Sequence, residues 1–191
     1  TGADAMIKCL ELEGVTSVFG YPGVAICPFY NSILDSTIES ILIRTEQNAA
    51  HAASGQARVT GKPGVCVVTS GPGATNLITG IATAFADSIP MICISGQVNS
   101  ELIGSDSFQE ADITGAVESF VKYSYLVKKV EDIPQIFKEA FHICMTGRKG
   151  PVLIDVPIDI QQATLKNFKY PEAVKLRTYK PTVRGNMAQI K

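Results

Sequence analysis

Six short apolar runs recur along the chain, each separated from the next by a stretch long enough for a helix or a connecting loop, and this alternation limits the fold more than any other feature. The runs are Val15 to Phe19, Ile41 to Ile43, Val65 to Val68, Met91 to Ile94, Tyr125 to Val127 and Val152 to Val156. Helical patterns fall at Ala3 to Glu13, Gln47 to Thr60, Thr75 to Ala86, Thr114 to Phe120 and Ile133 to Met145. Within the runs hydrophobicity is continuous rather than alternating, the mark of strands buried on both faces, and such strands occur in parallel sheets covered by helices. The sequence predicts an α/β fold with a doubly wound parallel sheet flanked by helices.

The chain has 191 residues, 46% of them hydrophobic, which suffices for one such core. The reading assigns 1–164 to the domain and 165–191, LKNFKYPEAVKLRTYKPTVRGNMAQIK, to a linker toward a further domain, because periodicity is lost there while prolines and lysines accumulate. Seventeen basic side chains against 18 acidic ones give a net charge of −1, no electrostatic basis for binding nucleic acid or an anionic membrane. The longest apolar stretch, Gly80 to Ser95, is interrupted by Asp87 and Pro90, short of the roughly 18 uncharged residues of a spanning helix. Cys9, Cys27, Cys66, Cys93 and Cys144 are odd in number and lack CxxC spacing, so reduced thiols and a cytoplasmic location are expected, with an organellar leader ahead of Thr1 left open. His51 and His142 have no companions at metal-ligand spacing and read as ordinary packed or surface histidines. No metal site is expected within the chain.

In doubly wound folds ligands sit beyond the carboxyl ends of the strands. The segments that follow the runs read GYPGVAICPF, RTEQNAA, TSGPGATN, SGQVNSELIGSDSFQEAD and DVPIDI. TSGPGATN sets two glycines and a proline between a strand and a small-residue helix, where backbone can come close to a ligand. It lacks the lysine of a phosphate-binding loop, and Thr75 or Asn76 could equally cap the next helix. Glu46 stands where a carboxyl can share a proton with a ring nitrogen, or can simply favour the positive end of its helix. The alanines of EQNAAHAASGQA allow close approach, either to the sheet or to a second protomer. Residues 98–112, around Phe108 and Gln109, suit a closing loop or a plain surface loop, and Arg148 an anionic cofactor or a solvated turn.

Together GYPG, RTEQNAAHAA, GKPGVCVVTSGPGATNLITGIA, DSIPMICISGQV, SFQEAD and TGRKGPVLIDVPIDI resemble the N-terminal pyrimidine-binding domain of thiamine diphosphate enzymes, most closely the acetolactate synthase (acetohydroxyacid synthase) catalytic-subunit family. The likeness runs in order from Thr1 to about Ile160. It implies that Glu46 and Gln109 are catalytic, with Glu46 hydrogen-bonding the pyrimidine ring and governing the proton transfer that activates the cofactor. It implies further that Pro22, Gly23, Thr69, Pro72 and Asn76 contact thiamine diphosphate, that Arg148 approaches FAD, and that Val24, Phe108 and Lys122 face the substrate. The implied reaction decarboxylates pyruvate and joins the two-carbon unit to a second 2-keto acid, giving acetolactate or acetohydroxybutyrate for branched-chain amino-acid biosynthesis. Mg²⁺ and the diphosphate would be held by a C-terminal domain, FAD by a central one, and the working unit would be a homodimer or higher oligomer with a possible regulatory small subunit. These 191 residues alone are then expected to be inactive.

The chain departs from the family pattern where GYPGVA stands for GYPGGA and AASGQAR for AADGYAR. Val24 is therefore expected to narrow the pocket or alter the loop backbone, since valine tolerates positive φ poorly. Two other readings stay open: a stand-alone pyrimidine subunit of a two-chain 2-keto-acid decarboxylase, and a non-catalytic nucleotide-binding or interaction module.

Overall fold

A computed structural model describes residues 1–190. Eight helices and six strands follow in the order α1 (Gly2–Leu12), β1 (Ser17–Tyr21), α2 (Cys27–Ser32), β2 (Glu39–Leu42), α3 (Glu46–Thr60), β3 (Gly64–Val68), α4 (Pro72–Thr75), α5 (Ile78–Ala86), β4 (Met91–Gln97), α6 (Ile113–Ala116), β5 (Tyr123–Leu126), α7 (Ile133–Met145), β6 (Pro151–Pro157) and α8 (Ile158–Gln162). All strand pairs are parallel, in the order β2-β1-β3-β4-β6-β5. The expected doubly wound α/β sheet is present.

Two-sided burial shows directly in the side chains of the central strands. Val65, Val67, Ile92, Ile94, Val152 and Ile154 pack with α1, α2 and α7, while Cys66, Val68, Met91, Cys93 and Leu153 pack with α3 and α5. The period of two within each strand therefore feeds two separate cores rather than a core and solvent. The small side chains of α3 serve this layering: Ala49, Ala50, Ala53 and Ala57 are buried, Gly80 of α5 abuts Ala50, and Gly64 abuts the carbonyl of Ala53. Close packing within the chain thus accounts for the inward alanines, whereas Gly55 is exposed.

Where expectation and structure differ, local chemistry explains the shift. The helical stretch from Thr75 breaks into α4 and α5 around Asn76 and Leu77, and the stretch from Thr114 is α6 followed by a 3-10 turn at Glu118–Phe120. Short helices α2 and α8 were not expected; α2 carries a proline in its first turn, a helix-starting position. Beyond α8, residues 163–190 form no helix or strand, yet Leu165, Tyr170, Leu176 and Tyr179 pack on the α1/α7 core. Tyr170 donates to Glu13 at 2.8 Å, and the Lys122 ammonium donates to the Tyr179 hydroxyl at 2.9 Å. The first part of the tail is therefore strapped to the domain.

Strand order places the ligand edge. The chain runs from β1 outward to β2 and then crosses back to β3 on the other side of β1, so the loops after β1 and β3 diverge at a topological switch point. Crevices at such points are where open α/β sheets bind ligands.

Candidate functional site

Three segments converge at this corner. Thr69, leaving β3, lies so close to Gly23, leaving β1, that a Cβ on Gly23 would stand 2.5 to 2.7 Å from the Thr69 side chain. Gly23 itself is extended at φ −162°, so close approach and not backbone conformation calls for glycine there. Gly71 is different: at φ +57° and ψ −119° it occupies a region open to glycine, and any Cβ would meet the Gln109 backbone at 2.5 Å. Thus the glycines of TSGPGATN let the β3 turn receive both the β1 loop and the 98–112 segment.

Glu46 is the first residue of α3, brought to the same corner from β2. Its Oε2 accepts a hydrogen bond from Asn76 Nδ2 at 2.9 Å. Asn76 therefore does not cap the next helix; α5 has Leu77 at its cap position and no side-chain cap bond, while the Thr75 hydroxyl donates to the Pro72 carbonyl. Glu46 Oε1 accepts no hydrogen bond from the described residues and stands 3.4 Å from where a Cβ on Gly73 would be. The Thr69 hydroxyl, on the side of Gly23, is buried with no partner. One carboxylate oxygen is thus oriented by Asn76, and the other has no partner among the described residues, next to a turn where Gly73 packs on the Thr69 methyl. A hydroxyl buried without a partner costs about 1–3 kcal/mol, an exception that occurs most often at functional or strained sites.

That set fits one edge of an aminopyrimidine. A carboxyl with one oxygen held and the other without a partner can exchange a proton with a ring nitrogen. Glu46 at a helix N-terminus also complements the helix dipole, and nothing in the geometry sets that role against the first.

The remaining expected residues divide. Gln109 has φ +58°, an unusual left-handed conformation for a side-chain-bearing residue, and its backbone rests on Gly71. Its neighbour Phe108 is 88% exposed. Val24 opens a 3-10 turn, is 75% exposed, and is not among the residues with positive φ. The anticipated backbone conflict at Val24 is absent, and what it adds is an exposed apolar side chain at the edge. Pro22 and Pro72 are exposed on the same loops.

Lys122 and Arg148 are not brought to this corner. Both precede strands, β5 and β6, and so lie at the amino-terminal edge of the parallel sheet, opposite Glu46. The Lys122 ammonium donates to the carbonyls of Ile143 and Thr146 at the end of α7, the second at 2.6 Å. Arg148 bonds the carbonyls of Phe85 and Ala86 at 2.9 and 3.2 Å and the Ser88 hydroxyl at 2.8 Å, closing the end of α5. Both are cations satisfying helix C-terminal carbonyls. A cavity of about 640 Å³ at that edge, lined by Ser17, Pro63, Phe141 and Val174 among others, lies under the tail strap and away from Glu46.

Among the described residues no group of three or more His, Cys, Asp and Glu side chains could hold a metal ion, and no helix is long and apolar enough to cross a membrane. The five cysteines are unpaired thiols; four are buried, and burial pushes Cys144 up to about 12.

Sequence reasoning assigned no role to one further group. Ser95, Gln97 and Asp155 form a buried polar cluster at the carboxyl ends of β4 and β6. A charged residue inside the continuous run PVLIDVP was the available signal, since an aspartate is almost never fully buried without partners.

Residues 1–116 match the protein family described as thiamine pyrophosphate enzyme, N-terminal TPP binding domain. Over its full length the chain is 54% identical to the probable acetolactate synthase large subunit of Methanocaldococcus jannaschii and 54% identical to the acetolactate synthase large subunit of Haemophilus influenzae. It is 50% identical to the acetolactate synthase isozyme 3 large subunit of Escherichia coli. It covers 32%, 34% and 34% of these three proteins, and so spans about a third of the length of the curated relatives it matches.

Proposed function

Because the chain belongs to the thiamine pyrophosphate enzyme family, as its N-terminal TPP binding domain, we propose that the Glu46 corner receives the aminopyrimidine ring of thiamine diphosphate in an acetolactate synthase. The single observation that carries this reading is Glu46 itself, with Oε2 fixed by Asn76 and Oε1 without a partner among the described residues. When bound, thiamine diphosphate supplies the electron sink for decarboxylation of a 2-keto acid.

The chain's own residues then have defined tasks. Glu46 holds and returns a proton at a ring nitrogen. Asn76 restricts the carboxylate to one rotamer, so little reorganisation is needed when the proton moves. Thr69 fills the wall between Gly23 and Gly73 beneath the ring, and Pro22 and Pro72 stiffen the two loops. Gln109, with Phe108 and Val24 at the exposed rim, faces the keto acid. Substrates in this reading are pyruvate and a second 2-keto acid, with acetolactate or acetohydroxybutyrate as products for branched-chain amino-acid synthesis.

The corner is an open face built from one layer of loops, which supports completion by other protein. We assign the diphosphate with its Mg²⁺, and FAD, to further parts of a polypeptide of the relatives' length, and the second wall of the corner to another copy in a homo-oligomer. A regulatory small subunit and a cytoplasmic location belong to the same proposal. Lys122 and Arg148 enter it only as supports of the opposite edge of the sheet, where they hold helix C-terminal carbonyls.

The test is Glu46→Gln in the complete protein, assayed for acetolactate from pyruvate with thiamine diphosphate and Mg²⁺. A loss of about a thousandfold or more in kcat with folding retained is expected, within the range for removal of an essential proton-transfer group. Activity within tenfold of the parent would overturn the reading.

A further inference from the structure

Gln97 is 3% exposed, and every hydrogen-bonding position of its amide that faces protein is used. Its Oε1 accepts from Val98 N at 2.9 Å, and its Nε2 donates both to Asp155 Oδ2 and to the carbonyl of Ala111, each at 2.9 Å. These partners fix the amide's sense: turned over, it would set an oxygen against a carboxyl and a carbonyl and an NH₂ against an amide donor. Asp155, 1% exposed, accepts in addition from the Ser95 hydroxyl at 2.6 Å. Val68, Ser95 and Asp155 are in register across β3, β4 and β6, so Ser95 and Gln97 lie one strand, and Asp155 two strands, from the start of the TSGPGATN turn.

Ala111 stands next to the end of the 98–112 segment. That segment is braced internally, by Glu110 accepting from the Gly104 and Ser107 amides and by Asp112 capping α6. It is joined to the sheet's carboxyl edge near each end, by Ser100 donating to Asp159 at 2.5 and 3.0 Å and by the Gln97 to Ala111 bond. Between these joints it lays the strained Gln109 backbone on Gly71.

We propose that Asp155 is a positioning residue for the site, which through Gln97 latches Ala111 and thereby holds Gln109 against the β3 turn at the Glu46 corner. Its effect on turnover rests on the function proposed above; the latch itself does not. An apolar residue would fill the same place in the sheet without burying a carboxyl, and burial pushes Asp155 up to about 7 against the two donors that favour its charged form. What the carboxyl supplies that an apolar side chain cannot is an acceptor that keeps Gln97 pointed at Ala111.

Amide hydrogen exchange on the complete protein tests this, with Gln97→Met, Asp155→Ala and Asp155→Asn beside the parent. Gln97→Met and Asp155→Ala should each speed exchange across 98–112 at least tenfold while β1 and β3 stay within twofold. Asp155→Asn, which keeps an acceptor for Gln97 and can donate to the Ser95 oxygen, should stay within threefold of the parent. In the acetolactate assay Gln97→Met should raise KM for the keto acid by more than it lowers kcat, a split that general loss of fold would not produce. Should Asp155→Ala fail to fold, Gln97→Met decides alone. Unchanged exchange in 98–112, or equal acceleration in β1 and β3, overturns the latch; a latch confirmed by exchange in a protein that makes no acetolactate would overturn the proposed function instead.

Discussion

At the scale of the residue, the account turns on how one carboxylate is held. Asn76 contributes a donor and no charge, and that combination is what the Glu46 site requires. Asn76→Ala removes the restraint and is expected to lower kcat/KM about tenfold to a hundredfold. Asn76→Asp should do worse than Asn76→Ala, because a second carboxylate about 3 Å from the first disfavours the charged form of both. Steady-state kinetics of the complete protein on the two variants checks the order, and an Asp variant more active than the Ala variant contradicts it. Much at this scale was legible in the sequence. Glu46, Gly23, Thr69 and Asn76 were all expected at one site and do meet at one corner. What pattern could not supply was the partner of each side chain: Asn76 reads as a helix cap until the break between α4 and α5 turns it toward Glu46.

At the scale of the element, two predictions concern the sheet and its caps. Lys122 holds the carbonyls of Ile143 and Thr146 and the Tyr179 hydroxyl. Since hydrogen bonds to charged groups are worth roughly 1.5–3 kcal/mol, Lys122→Met should lower unfolding free energy by about that amount in denaturant titration. Asp155 gives a pH dependence. In the unfolded chain it releases its proton near 3.8, in the native sheet at about 7, so between these values the native state retains a proton the unfolded state has lost. The native state is then disfavoured progressively as pH rises, and the penalty is complete above about pH 7. Asparagine has no such linkage, so the stability difference between Asp155→Asn and the parent should move in the variant's favour from pH 4 to pH 8. The steepest change is about 1.4 kcal/mol per pH unit, and a difference flat across that range would contradict the assignment. The strands were legible because continuous apolar runs leave a parallel sheet little alternative. Their ends moved by a few residues, as β1 did from 15–19 to 17–21, since backbone pairing with β2 and β3 sets them rather than hydrophobicity. Lys122 and Arg148 show the other limit: their places ahead of strands give the edge of the sheet, while the helix-end carbonyls they bind were not legible in the sequence.

At the scale of the whole molecule, the two edges of the sheet divide the work. The amino-terminal edge is closed by capped helices and the strap of Tyr170 and Tyr179, with their bonds to Glu13 and Lys122. The carboxyl-terminal edge stays open, its loops held from behind by Asp155 and Gln97 and presenting Glu46 outward. In the proposed function Glu46 governs proton movement on bound thiamine diphosphate. The most direct measurement is the rate at which the cofactor's C2 hydrogen exchanges with deuterated solvent on the complete protein, read by quenched NMR for the parent and Glu46→Gln. The variant is expected still to bind thiamine diphosphate within about tenfold of the parent but to exchange the C2 hydrogen slower by about two orders of magnitude or more. Exchange in Glu46→Gln as fast as in the parent, with cofactor bound, would contradict it.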